Sequence, residues 1–245
     1  MLFSSNPNKV QAMLSVIIPT LNAETTLPAT LQSLMRALIA GMIKEVIITD
    51  GGSIDKSCQI AETAGATIIT VPQPGRGPQL AAAAKHAKSD WLLVLHADTE
   101  LEDGWHEEVS TFINKENQSQ TLPKAAAFTY ATKEKGLRPT LLTKTVRARC
   151  KLFSLPYGDQ GLLIAKQTYQ DCGGFKDLPL MEDVDLIRRL KHRPVLLKSR
   201  AFTSAIRHQK EGYLKRVLRN QFCLSAFYAG FPIKKIESWY APKKR

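Results

Sequence analysis

The sequence predicts an α/β fold, a mixed and mostly parallel sheet flanked by helices, in a single domain with two lobes. Three observations carry this expectation. Strand and helix signals alternate through the first hundred of the 245 residues, with connections about one helix long, which implies parallel strands joined by right-handed crossovers. Trp91-Leu92-Leu93-Val94-Leu95 is a continuous apolar run of the kind buried on both faces of a parallel sheet, and it leads through His96-Ala97 to Asp98 at the carboxyl tip, where open α/β sheets place ligands. Beyond Asp98 the alternation breaks down, as a second lobe of different construction would require.

In order along the chain, Leu14-Ser15-Val16-Ile17-Ile18 is a β-branched strand closed by Pro19, and Leu27 to Ile39 repeats apolar residues at helical spacing up to Gly41. Glu45 to Thr49 is a second strand that ends in the turn Asp50-Gly51-Gly52-Ser53. A helix from Asp55 to Ala64 closes on Gly65, a third strand covers Ala66 to Val71, and an alanine-rich helix follows the loop Pro72 to Pro78. In the second part, Gly104 to Asn114 reads as a helix, Ala125 to Ala131 as a strand, and Leu141 to Phe153 as a basic helix. Leu162-Leu163-Ile164 is a short strand, Glu182 to His192 a helix headed by acids, and Val195-Leu196-Leu197 a strand. Tyr213 to Phe227 is amphipathic, with Leu214, Val217, Leu218 and Phe222 on one face and Lys215, Arg216 and Arg219 on another. Residues 1–12 are expected to be disordered or loosely attached, leaving 13–245 as the folded domain.

Charge is divided unevenly. The net charge is +12, yet residues 1–100 hold 7 Lys/Arg against 8 Asp/Glu while residues 101–245 hold 27 against 14. That asymmetry points to an anionic partner near the second part: a phosphate-bearing substrate, an acidic membrane face or nucleic acid. Basic residues interleaved with aromatics in a nucleic-acid reader motif are not found, so no nucleic-acid partner is expected. The four cysteines form no C-x-x-C pair, and no apolar run reaches the roughly 18 residues a membrane span needs. A cytoplasmic protein, with peripheral contact at the inner membrane face through the amphipathic segment, is the expectation.

Three acidic points fall at element ends: Asp50, Asp98 and the pair Glu182-Asp183. Taken singly, each is more often a helix cap or turn former than a ligand. Together, carboxylates at the carboxyl ends of parallel strands face one crevice and suit Mg²⁺ or Mn²⁺ bridging a diphosphate. Gly75-Arg76-Gly77 lets backbone approach a phosphate while Arg76 offers a planar fork of donors. His96 and His208 are further candidate metal ligands.

These residues carry a resemblance. Ser15-Val16-Ile17-Ile18-Pro19-Thr20-Leu21-Asn22, the Asp50-Gly51-Gly52-Ser53-Ile54-Asp55 turn and Asp98 resemble family 2 glycosyltransferases of the GT-A fold. Gly75-Arg76-Gly77 with Gln79, Leu95-His96-Ala97-Asp98-Thr99, Gly158-Asp159-Gln160-Gly161, and Gly173-Gly174-Phe175 followed by Leu178-Pro179-Leu180-Met181-Glu182-Asp183 are similar to one bacterial subgroup. It is the arsenosugar-biosynthesis type, also called radical-SAM/selenodomain-associated transferase 2. The resemblance implies an inverting, metal-dependent transfer from a nucleoside-diphosphate sugar to an acceptor hydroxyl, with residues 13–100 as the nucleotide half and 101–245 as the acceptor half. It implies that Pro19, Leu21, Asn22, Glu24, Asp50 and Ala97 line the donor nucleotide, Arg76 faces the diphosphate and Asp98 holds the metal. Asp183 is implied as general base, with Asp159, Gln160 and Glu182 near the sugar or acceptor. The chain has His96-Ala97-Asp98 where most of the superfamily has Asp-x-Asp. The acceptor is left open between a small metabolite, arsenic-containing in that subgroup, and a polyprenyl-phosphate, lipid or carotenoid. Nucleotidyl transfer and a basic membrane- or nucleic-acid-binding module are the competing expectations.

Overall fold

The computed structural model describes residues 13–71, 75–134, 158–203 and 212–240, with 136, 139, 140, 143, 146 and 156 between them. The expectations for residues 1–12 and for His208, and most of that for the basic helix from Leu141 to Phe153, fall outside the described residues.

One eight-stranded sheet organises the chain. Its strands are β1 (Leu14–Thr20), β2 (Ile43–Asp50), β3 (Thr67–Thr70), β4 (Trp91–Val94), β5 (Thr99–Leu101), β6 (Ala126–Ala131), β7 (Leu162–Ala165) and β8 (Val195–Thr203), in the spatial order β3-β2-β1-β4-β7-β6-β8-β5. Between β3 and β4 every pairing is parallel. The sheet turns mixed at β7, which runs antiparallel to both β4 and β6, and the edge strand β5 is antiparallel to β8. The mixed, mostly parallel sheet flanked by helices is therefore as expected from the sequence; the run β3-β2-β1-β4 lies in the first hundred residues, and β6 and β8 form a further parallel pair in the second part.

Alternation of side chains sorts β1 onto two faces. Leu14, Val16 and Ile18 enter a core with Leu27, Leu34, Trp91, Leu93, Trp105 and Phe128, whereas Ile17 enters the opposite core with Leu80, Ala83, Leu92, Val94 and Phe175. Each fully buried branched or aromatic side chain contributes about 1.5–3 kcal/mol, so β1 and β4, covered on both faces, anchor the tips that carry polar residues.

The helices whose bounds fall within the described residues are α1 (Leu27–Gln32), α2 (Met35–Ile39), α3 (Ser57–Thr63), α4 (Arg76–His86), α5 (Trp105–Asn117), α6 (Lys166–Asp171), α7 (Glu182–Arg189), α8 (Tyr213–Tyr228) and α9 (Ile233–Tyr240), with a 3₁₀ turn at Gly158–Gln160. The single helix expected over Leu27 to Ile39 is two. The Trp105 indole donates to the Ser33 carbonyl at 3.0 Å, and the Leu34 amide turns back to Leu31, so a tertiary contact claims a carbonyl at the point where the helix would have continued. Helices α8 and α9 form a hairpin that packs Cys223, Ala226 and Ile236 on Leu180, Met181 and Val184 at the head of α7.

Candidate active site

The carboxyl tips of β1 and β2 are fastened to each other by side chains reading backbone. Asn22, in the left-handed region at φ 50°, accepts from the Ile54 amide through Oδ1 (2.9 Å), while its own amide donates to Ser53 Oγ (2.9 Å). Glu24 accepts from the Lys56 amide and donates its own amide to Asp55 (3.0 Å each). Asp50 is buried, and its Oδ2 accepts from the amides of Gly52 (2.9 Å) and Ser53 (3.0 Å). Burial, with Asp50 as the next cause, pushes the Cys58 thiol up. From the opposite side the buried Gln79 amide donates to the carbonyls of Thr20 (3.1 Å) and Thr49 (2.7 Å), so α4 is pinned to both tips.

The second cluster is charged. Arg76 opens α4 and places Nε 2.9 Å from Glu182 Oε1 and Nη2 3.4 Å from Oε2, while Nη1 lies 3.2 Å from His96 Nε2. A guanidinium only donates, so this His96 nitrogen accepts and its proton sits on the other. The approach of α4 to the head of α7 is close enough to demand glycine. A Cβ on Gly77 would come within 2.3 Å of the Lys176 carbonyl oxygen and 2.6 Å of that of Leu178, and the Gly77 amide donates to Leu178. At the other side of the contact Met181 takes φ 63°, uncommon for a residue with a Cβ, and so turns Glu182 inward.

Glu182 is fully buried. Burial pushes its carboxyl up to about 7 against the pull of Arg76, and the neighbouring Asp183 adds to the rise. Burial opposes the charge of Arg76 too, but Glu182 and then Asp183 hold it firmly charged, with Tyr240 and Asp159 also within electrostatic reach. His96, Glu182 and Asp183 line one cavity with Leu80, Val94 and Phe175.

The structure thus brings Arg76, His96, Glu182 and Asp183 together and sets Asn22, Glu24 and Asp50 in the adjoining loops. Pro19 is buried within β1, and Leu21 is exposed at its tip. Gln160 is buried and donates to the Phe128 carbonyl at 2.9 Å, while the Asp159 carbonyl accepts from Thr203. Asp98 is half-buried in the turn from His96 to Thr99, beside the buried Ala97, and opens onto a different concavity of about 520 Å³ with Glu100, Glu134 and Thr203.

As a hard oxygen ligand engaged by no side-chain hydrogen bond or ion pair among the described residues, Asp98 fits Mg²⁺ or Mn²⁺. Among the described residues no group of three or more His, Cys, Asp or Glu could hold an ion, so phosphate oxygens would have to complete its shell. Two residues of this region escaped the sequence reading. Ile54 is 94% exposed at the tip of the Asp50 turn, where an isolated apolar residue among glycines and serine was the available signal. Tyr240, which reaches Arg76 electrostatically from α9, had none.

Residues 15–173 match the family model described as Glycosyl transferase family 2. Among curated relatives, an uncharacterized glycosyltransferase of Rickettsia bellii is 33% identical over 84 residues, covering 34% of this chain and 29% of that protein. Glucosyl-3-phosphoglycerate synthase of Mycolicibacterium smegmatis is 29% identical over 98 residues, covering 37% and 32%. The chain therefore matches about a third of the length of these relatives. Among solved structures, glucosyl-3-phosphoglycerate synthase of Mycobacterium tuberculosis with Mn²⁺, UDP and glucosyl-3-phosphoglycerate superposes with a TM-score of 0.59 at 19% identity, over 92% of this chain and 82% of that one. S. aureus TarS superposes at 0.56 and 16% identity, over 94% and 42%. At these identities the likeness is one of fold, and the fold is that of GT-A glycosyltransferases.

Proposed function

The chain belongs to glycosyl transferase family 2, and from that premise we propose that it moves a sugar from a nucleoside-diphosphate sugar to an acceptor hydroxyl, inverting the anomeric carbon in a single displacement. The observation that carries the reading is the Arg76–Glu182–His96 cluster, which draws the glycine-flanked arginine of the first lobe to within 2.9 Å of the acidic pair of the second. Arg76, a third exposed, offers its charge to the departing diphosphate, and such a contact contributes about 3 kcal/mol to a transition state where charge grows. Asp183 takes the proton from the acceptor hydroxyl, and Glu182 holds the guanidinium in place.

Asp50 and the loops it braces receive the nucleoside, with Leu21 and Ile54 as an apolar rim. Asp98 is the residue that would hold Mn²⁺ or Mg²⁺, and a cation there supplies neutralising charge to the diphosphate. The related glucosyl-3-phosphoglycerate synthase, solved with Mn²⁺ and UDP, supports this assignment of donor and cofactor. For the acceptor, the subgroup resemblance supports a small metabolite of the arsenosugar type.

The test is a panel of UDP- and GDP-sugars with Mn²⁺, read first as thermal stabilisation and then as release of nucleoside diphosphate. With the stabilising donor, Asp183→Asn is expected to lower kcat by at least about a hundredfold while donor binding is retained. A fully active Asp183→Asn enzyme refutes the base, and pyrophosphate as product refutes glycosyl transfer in favour of nucleotidyl transfer.

A further inference from the structure

The outer surface of the α8–α9 hairpin carries large apolar side chains that the core does not use. Leu218 and Phe222, one turn apart on α8, are 60% and 56% exposed, and Phe231 in the connection is 47% exposed. The Phe222 and Trp239 ring centroids lie 5.2 Å apart, and those of Phe231 and Trp239 lie 6.0 Å apart, so the two exposed rings form one patch over Trp239, which is half-buried on the cluster of Cys223 and Ile236. Lys235 sits one helical turn from Trp239 and is exposed with Lys234 beside it. From residue 213 to residue 245 the sequence holds eight Lys/Arg and one acid, Glu237.

The inner side of the same hairpin is committed elsewhere. Cys223 and Ile236 are buried against the head of α7, and the Arg188 guanidinium lies 4.8 Å from the Tyr228 ring centroid. The patch therefore faces away from the sheet while its supporting helices touch the residues next to Glu182 and Asp183.

We infer that this hairpin docks the protein on an anionic phospholipid bilayer, with Leu218, Phe222 and Phe231 entering the headgroup–acyl boundary, Trp239 beneath them, and Lys234 and Lys235 meeting the lipid phosphates. Aromatic rings with lysines one turn away are the composition that partitions into a bilayer interface, and each cation near an anionic leaflet strengthens the attraction. Charge also decides against a second copy as occupant. A two-fold contact through the patch would bring Lys234 and Lys235 of both chains together with no acid but Glu237 to offset them. Among the described residues no helix is long and apolar enough to cross a membrane, so the contact is made at the surface. The inference goes beyond the transfer reaction and does not depend on which acceptor is used.

The experiment is co-sedimentation of the full chain with phosphatidylcholine vesicles, with and without phosphatidylglycerol, at low and high salt. Binding is expected to the anionic vesicles and to weaken with salt. Phe222→Ser/Phe231→Ser is expected to lower partitioning at least about tenfold, and Lys234→Glu/Lys235→Glu to remove the preference for anionic lipid. Both variants change exposed residues, and an unchanged thermal melt confirms their folding. Trp91 and Trp105 are buried, so quenching of tryptophan emission by brominated lipid reports Trp239, the remaining one of the three. Absence of binding at low salt, equal binding by both variants, or emission untouched by brominated lipid overturns the inference. A concentration-dependent dimer that Phe222→Ser/Phe231→Ser abolishes would overturn it too, by assigning the patch to a second copy. None of these readouts requires turnover, so failure here is distinct from failure of the transferase assignment.

Discussion

Two sets of acids stand along the functional edge of this protein, and they are held by opposite means. Around the tips of β1 and β2, Glu24, Asp50 and Asp55 accept from backbone amides of the neighbouring turn, over 2.9 to 3.0 Å. At the head of α7, Glu182 is buried against Arg76, its one cationic partner among the described residues, which comes from 106 residues earlier in the chain. Burial opposes the charge on Asp55, but the Ser57 hydroxyl and several backbone amides outweigh it and hold the carboxyl below its ordinary value. Glu182 has too few such donors and is raised. Backbone donors make a carboxylate a brace, whereas a lone cation makes it half of a pair that a more strongly charged ligand can share.

The contact that brings the two sets together is also the easiest to break. Gly77→Ala forces a methyl group against the carbonyls of Lys176 and Leu178, and neither is the far end of a flexible side chain. Overpacking of this kind costs about 3 kcal/mol where backbone must move, and urea denaturation should show it as a lower midpoint at unchanged slope. The loss should fall on the Arg76–Glu182 contact and leave the braces at Asn22 and Asp50 intact. Full stability in this variant would mean that α4 and the head of α7 are not in close register.

Next in size is a pH effect of opposite sign in the two sets. The Glu182 carboxyl titrates at about 7 in the folded chain against 4.5 for a free side chain, so the folded state binds the extra proton between those values. Its contribution to stability is then complete below about pH 4.5 and falls as pH rises towards 7, by about 2–3 kcal/mol for a shift of that size. Glu182→Gln should flatten that fall in unfolding measured between pH 4.5 and 7. Asp55, with its carboxyl lowered below 3.8, acts the other way and loses its contribution only on acidification through the folded value. A Glu182→Gln profile that parallels the parent across the window would contradict the raised carboxyl.

The braced set was far more legible in the sequence than the charged pair, for a reason of distance. β1, β2 and β4 announce themselves as β-branched or continuous apolar runs ending in Asn22, Asp50 and Asp98, because a strand covered on both faces has no freedom to hide its pattern. The edge strand β5 is three residues long and exists only through pairing with β8, a hundred residues later, so nothing local marks Thr99 to Leu101. α6 and α9 are short helices made by packing and were missed for the same reason. Arg76, Glu182 and Asp183 could be picked out as residue types at element ends. That Arg76 would pair with Glu182 and turn His96 towards itself depends on how the lobes fold together. The sequence placed Asp98 and Asp183 on one crevice; Asp183 lines a concavity with His96, and Asp98, two residues on, lines another.

Gln79 belongs to neither set and joins them, and the smallest expected effect tests that role. It rides on the helix that Arg76 opens, yet its amide is spent on the carbonyls of Thr20 and Thr49 at the ends of β1 and β2. Gln79→Met keeps the length and apolar stem of the side chain and removes both hydrogen bonds. The Thr20 carbonyl still accepts from the Gly51 amide at 2.9 Å, and the loss of the two side-chain hydrogen bonds is expected to cost about 1–2 kcal/mol by denaturant unfolding. If the two tips are registered on the arginine through this amide, donor KM should rise several-fold with kcat nearly unchanged, because the nucleoside loops lose their alignment and the reacting end keeps its own. A loss confined to stability, with KM untouched, would leave Gln79 a brace like Asp55 and return the registration of the two sets to the glycine contact alone.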